Sequence, residues 1–360
     1  MKFIGDKIMK IKKLKERIKD STENRTEHRP DKYNVFAAVT NVTVARGFTW
    51  KWLGMFSLLL VTGCKYIPSG DSRQASRQTV KDTVLMVGYV RPEIPPMMTD
   101  PQQRASYYVA HYWDGYSLAD TAFIRGEGTE QLFADFIGAL QYVSPGESSV
   151  VLKRMMCRME ADSTAYDRFC LLSEKYLYDP NSPMRNEDYY IPVLEQMVAS
   201  KRLSGMDKIR PADRLKQAHK NRPGMTATDF GYVTPKGKVG RMSRIKAVYT
   251  LLFFYDPDCS NCRKYEQILS EMPAFVEMQE KGTLRVLAVY PDDNEEEWLL
   301  KSSGMPQGWI VGWNKQGDIR SKALYEIRAT PTLYLLDKQK RIILKDASLE
   351  QVIRYLAINQ

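Results

Sequence analysis

The chain has 360 residues, 43% of them hydrophobic and 27% charged, which is long enough for two folded domains. Its 21 Tyr and 17 Met argue against a disordered chain. The net charge of +10 does not describe a basic face, because residues 1–51 hold 13 Lys/Arg against 6 Asp/Glu and so carry seven of those charges; no nucleic-acid partner is expected from so even a remainder.

The first 45 residues form a lysine-rich extension. From Trp52 to Val61 runs an uncharged apolar stretch, preceded by Arg46 and Lys51 and followed by Thr62-Gly63-Cys64. It is too short to span a bilayer, which takes ~20 apolar residues, but it has the length of the apolar region of a secretory signal. Val61-Thr62-Gly63-Cys64 resembles the bacterial lipobox, which implies that Cys64 becomes the lipidated N-terminus. A buried strand that carries a cysteine is the competing reading. The signal at 46–64 is complete without the residues before it, so the natural start is expected nearer Val42 or Val44. Residues 65–83, rich in Ser, Gln and Gly, read as a flexible tether. These features predict a lipid-anchored protein of the cell envelope, facing the periplasm or at the outer membrane.

Residues 84–222 read as a helical domain. Thr99-Asp100-Pro101 is a helix start, with a capping side chain followed by proline where its missing N–H costs nothing. Tyr107, Tyr108, His111 and Tyr112 fall at helix spacing. Leu132, Phe133, Phe136, Ile137 and Leu140 form one apolar stripe, and Phe169, Leu172, Tyr176 and Leu177 another. Asp179-Pro180-Asn181-Ser182-Pro183 then stops the helix. His111 has no second His or Cys at ligand spacing, so no metal site is expected there. Cys157 and Cys170 could pair in an oxidising compartment, but two separate thiols are the simpler expectation. No chemistry is assigned to this domain.

After Gly224 the period changes from helix to strand. Asp229–Val233 and Lys238–Met242 read as a hairpin through Thr234-Pro235-Lys236-Gly237. The run from Tyr249 to Tyr255 is continuously apolar and aromatic, as a strand buried on both faces would be. Asp256-Pro257-Asp258 follows, then Cys259-Ser260-Asn261-Cys262 opens an amphipathic stretch with Tyr265, Ile268, Leu269 and Met272. Thr283–Tyr290 is a second buried strand, reached through one helix and therefore parallel to the first. Glu295–Lys301 is a short helix. Beyond the Trp309–Trp313 region, Ala329–Asp337 and Arg341–Leu344 form a hairpin, and Leu349, Val352, Ile353 and Leu356 mark a closing helix.

A cysteine at a helix N-terminus faces unsatisfied N–H groups and the positive end of the dipole, so its thiolate is stabilised. Two intervening residues bring a second sulfur within bonding reach. Cys259, nearer the helix end, is expected to attack, and Cys262 to resolve the mixed disulfide. Asp256 and Asp258 beside the thiolate would raise its pKa and oppose the dipole. A zinc site would need a second pair of Cys or His ligands, and no histidine follows His219.

The order strand, Cys-x-x-Cys, helix, strand, helix, Thr-Pro, hairpin, helix resembles the thioredoxin fold. Residues 223–360 are thus expected to be an α/β thioredoxin-like domain, a central mixed sheet flanked by helices, preceded by a mainly α-helical domain. The span is similar to the lipoprotein-associated thiol–disulfide reductases of cytochrome maturation. His111-Tyr112-Trp113-Asp114, Tyr178-Asp179-Pro180-Asn181-Ser182-Pro183, Asn221-Arg222-Pro223-Gly224 and Phe254–Cys259 further resemble two-part lipoproteins of Gram-negative bacteria whose helical part has no known function. The resemblance implies that Pro331 is cis and lies against the cysteine pair. It also leaves the Thr330 backbone free to meet a substrate strand, with Ser260 and Asn261 as further contact positions. Departing from the Trp-Cys-Gly-Pro-Cys of thioredoxin itself, this chain has Asp258 before its first cysteine.

The function implied is exchange with the cysteines or disulfides of exported proteins, more as a reductant than an oxidant, with a separate thiol donor and no cofactor. The alternative is a surface lipoprotein that binds a partner, its cysteines closed in a structural disulfide. Peroxide reduction would want a Pro-x-x-x-Thr-x-x-Cys environment, which Cys259 lacks.

Overall fold

Local capping chemistry sets the helix starts of the first region. The computed structural model describes residues 88–359, which fall within one contact unit, Thr83–Gln360. The basic extension, the apolar run, Cys64 and the tether lie outside the described residues. Helix α1 (Pro101–His111) begins where the Asp100 carboxylate accepts the Gln103 N–H. After α2 (Thr121–Arg125) and α3 (Glu127–Ala139), α4 (Pro145–Met159) opens with a reciprocal cap between Ser144 and Glu147. Helix α5 (Ser163–Ser173) runs into one π-helical turn, Glu174–Tyr178, where the sequence pattern suggests a single helix. The region closes with α6 (Glu187–Ala199) and α7 (Gly205–Ala218).

The stripe from Leu132 to Leu140 is buried as its spacing predicts, and it meets Trp113. The Trp113 ring lies 4.9 Å from Phe169 and 5.4 Å from both Tyr116 and Phe136. Burial of one such side chain contributes about 1.5–3 kcal/mol. Three buried tyrosines here also place their hydroxyls: Tyr89 donates to the Tyr112 carbonyl, Tyr112 to the Leu132 carbonyl, and Tyr116 shares a bond with Thr129. His111 stays at the surface, its Nδ1 2.7 Å from an Asp114 carboxylate that Arg154 also pairs. Cys157 and Cys170 are separate free thiols.

The second region is built on one mixed sheet. Its elements are β1 (Gly231–Val233), β2 (Val239–Arg241), β3 (Tyr249–Phe254), α8 (Ser260–Glu271), α9 (Pro273–Glu280), β4 (Leu284–Tyr290), α10 (Glu295–Lys301), β5 (Ile310–Trp313), α11 (Asp318–Ser321), β6 (Thr332–Leu336), β7 (Ile342–Leu344) and α12 (Leu349–Ile358). The strand order is β2-β1-β5-β4-β3-β6-β7. Strand β3 runs parallel to β4 and antiparallel to β6, with Phe254 opposite both Val289 and Thr332. That places the end of β3, where the cysteines follow, beside the start of β6, where Pro331 precedes.

Two features differ from the sequence expectation. Ile310–Trp313 is a strand that pairs parallel with β4 from Leu287 to Tyr290, although four residues are too few to display a period. The amphipathic stretch after the cysteines also divides, because Pro273 cannot continue α8 and instead opens α9.

The two regions are joined by a tight turn and a covered edge. Asn221 adopts a left-handed φ of 51°, which Asn tolerates, and its side chain bridges the Leu324 carbonyl and the Thr228 N–H. Residues 224–227 then run against β7: Gly224 and Ala227 donate to the Ile342 and Lys340 carbonyls, and Ile342 donates to Met225. Lys345 caps the end of α7 by donating to the Ala218 and Lys220 carbonyls.

Candidate active site

The sheet and α8 together place two sulfurs at one spot. Strand β3 ends at Phe254, Asp256 turns the chain by accepting the Asp258 N–H, and Cys259 becomes the N-cap of α8. Cys259 and Cys262 are joined in a disulfide. The Cys262 N–H also donates to the Cys259 sulfur over 3.0 Å, one of the orphan donors of a helix start meeting the group it stabilises. Cys259 is half-buried, whereas Cys262 is 1% exposed, so a docking molecule reaches the first sulfur and not the second. Ser260 lies exposed at the helix start, and Asn261 is half-buried beside it.

The Thr330–Pro331 peptide bond is cis. The Thr330 carbonyl oxygen lies 3.2 Å from the Cys259 sulfur, close enough to accept a hydrogen bond from that thiol once the disulfide is open. Sequence positions 71 residues apart are thereby brought into contact. Both flank an open cleft of about 530 Å³, whose wall includes Asp256, Asp258, Ser260, Asn261, Asp292, Arg320, Arg328 and Thr330.

The carboxylates around the sulfurs are not equivalent. Asp258 pairs with Lys301, which also pairs with Glu297, and the Lys301 ammonium holds the Asp258 carboxyl below its ordinary range. This offsets part of the charge expected to oppose the thiolate. Asp292 is clasped at both oxygens by Arg320 (2.8 and 3.2 Å). Asp256 makes no ion pair among the described residues and is the carboxylate whose charge remains uncompensated. One turn beyond Cys262, burial pushes the Glu266 carboxyl up, against the pull of Arg263. Among the described residues no three His, Cys, Asp or Glu side chains converge as a metal site.

Sequence reasoning found Cys259, Cys262, Ser260, Asn261, Thr330 and Pro331, and these six lie together. It missed Asp292, Arg320 and Arg328, which reach the cleft from separate segments, and Lys301, which pairs with Asp258; none of them carries a local signal. Cys64, the expected lipidation site, lies outside the described residues.

Comparison with known proteins agrees with this architecture. A family model described as thioredoxin-like matches residues 248–342, and a domain of unknown function, DUF5106, matches residues 68–221. Among solved structures, a thioredoxin-like protein from Bacteroides caccae is 39% identical, covers 76% of this chain and 100% of its own, and superposes with a TM-score of 0.73. A conserved protein of unknown function from Bacteroides fragilis is 69% identical over 38% of this chain and 98% of its own, with a TM-score of 0.37. A domain of a possible thiol-disulfide isomerase from Cytophaga hutchinsonii is 27% identical over 39% of this chain and 95% of its own, with a TM-score of 0.35. Among proteins with curated descriptions, none matches the chain.

Proposed function

The chain belongs to the thioredoxin-like proteins, and from that premise we propose that it is a thiol–disulfide oxidoreductase that reduces disulfides of exported proteins. The observation that carries this reading is the sulfur of Cys259, held at the N-terminus of α8 and 3.2 Å from the Thr330 carbonyl, on the wall of an open cleft. In the reduced enzyme the Cys259 thiolate attacks one sulfur of a substrate disulfide. A bond forms between Cys259 and that sulfur, and the other substrate sulfur leaves as a thiolate that takes up a proton. Cys262, once deprotonated, then attacks Cys259 and closes the intramolecular disulfide. The substrate's second thiol is released, so two electrons have passed to it. A dithiol donor must return the pair to its reduced form, and no cofactor enters the cycle.

The uncompensated Asp256 carboxylate supports the reducing direction, because it disfavours the very stable thiolate of a strong oxidant. Anchoring through a lipid on Cys64, at a membrane facing the periplasm or at the outer membrane, belongs to the same proposal and rests on the Val61–Cys64 pattern. The test is reduction of insulin by the purified chain with dithiothreitol as donor, together with the reduction potential of the pair. Turnover and a potential between about −270 and −120 mV are expected. Absence of turnover with a potential below about −300 mV would instead mark a structural bond in a binding module.

A further inference from the structure

The loop that presents Thr330 is gripped from two sides, and one of them is the helical region. Within the sheet region, Arg320 donates to the Ile327 carbonyl (2.8 Å) while holding Asp292. On the other side stands Tyr178, the last residue of the π-helical turn. Its hydroxyl donates to Glu326 (2.8 Å), and its carbonyl accepts from Arg328, so this one residue holds two positions of the loop. The Arg328 guanidinium also lies over the Tyr178 ring, 4.4 Å from its centroid, as does Arg214 at 4.2 Å. Its other end pairs with Asp346, which Arg185 of the helical region pairs in turn at 3.4 Å. Only 12% of the Arg328 side chain is exposed, yet it forms part of the cleft wall two residues before Thr330.

We propose that the helical region is a positioning element for the redox site: the Tyr178 turn seats Arg328, and Arg328 fixes Ala329-Thr330-Pro331 beside Cys259 for a docking protein. Tyr178 and Arg328 are positioning residues, and the inference rests on the oxidoreductase reading above. Ordering a backbone segment costs conformational entropy, so a loop already held spares a docking substrate that cost. A small dithiol reaches the sulfurs without lying along the Thr330 backbone, so it should not sense the clamp.

The test uses the full chain carrying Tyr178→Ala, Tyr178→Phe or Arg328→Lys, with thermal unfolding recorded for each. For Tyr178→Ala the KM for insulin should rise about tenfold with kcat little changed. Reduction of the Cys259–Cys262 disulfide by dithiothreitol should stay within about twofold of wild type. Tyr178→Phe keeps the ring under Arg328 and loses only the hydroxyl bond to Glu326, so it should recover most of the insulin KM. Arg328→Lys keeps the charge but loses the paired reach to Tyr178 and Asp346, and should shift the insulin KM in the same direction even if Tyr178→Ala does not fold. An unchanged insulin KM in the folded variants overturns the proposal, as does equal slowing with insulin and dithiothreitol. A wild-type chain that accepts dithiothreitol but never reduces insulin overturns the oxidoreductase reading instead, and this one falls with it.

Discussion

The helical and sheet regions bury comparable aromatic cores but use their polar groups differently. In the helical region the Tyr89, Tyr112 and Tyr116 hydroxyls bond within it, and Glu130 is engaged by Arg168, Lys175 and Tyr176 at once. At the end of β3 the pattern is the opposite: a sulfur, a carbonyl and the Asp256 carboxylate face an open cleft. Chemistry belongs where polar groups are presented to solvent and not consumed by neighbours. The helical region meets the loop beside the site through Tyr178, which bonds both Glu326 and Arg328.

Substitutions can break that contrast, and the largest effect is expected at the sulfurs. Cys259→Ser should lower insulin reduction by on the order of 10³-fold or more, because the attacking atom is lost. Cys262→Ala should abolish turnover yet accumulate mixed disulfides, visible as adducts that dithiothreitol releases. In the helical core, Trp113→Ala should cost about 3–5 kcal/mol in denaturant unfolding, while the folded variant keeps its dithiothreitol reactivity. Loss of that reactivity in folded Trp113→Ala would erase the distinction between the regions.

Smaller effects sharpen it. Lys301→Ala leaves the Asp258 charge unopposed next to Cys259, so the thiol pKa should rise. Alkylation of the reduced protein at neutral pH should then slow by about two- to fivefold, with its pH profile moved upward. Glu266 is raised by burial, so its neutral form is favoured in the fold. The associated stability is present below the ordinary carboxylate value of 4.5 and is lost as pH rises through the folded value. Glu266→Gln should therefore stabilise at neutral pH by about 0.5 kcal/mol or less, a gain that fades below pH 4.5.

Legibility followed the range of the interaction. The continuous apolar run of β3, the Asp100 cap and the closing helix are local patterns, and the Cys-x-x-Cys spacing puts both sulfurs on one helical turn. Thr330 and Pro331 were reachable through the order of elements around them. Ile310–Trp313 carried no signal, since a strand of four residues is defined by the β4 backbone that it meets. Nor could spacing reveal that Lys301 would neutralise Asp258, or that a π-helical turn would carry Tyr178 to Arg328, 150 positions away. Such pairings exist only once the chain has closed on itself.

The segment 224–227 does more than connect. By donating to and accepting from Lys340 and Ile342, it occupies backbone groups that an outer strand would otherwise offer to other chains. At the opposite margin β2 is only three residues long, and Lys238 and Arg241 guard its exposed Val239. One border is thus covered by a paired segment, and the other is kept short and charged, two devices that oppose strand recruitment. Proteolytic nicking near Gly224 would release one border, and self-association should be its first symptom.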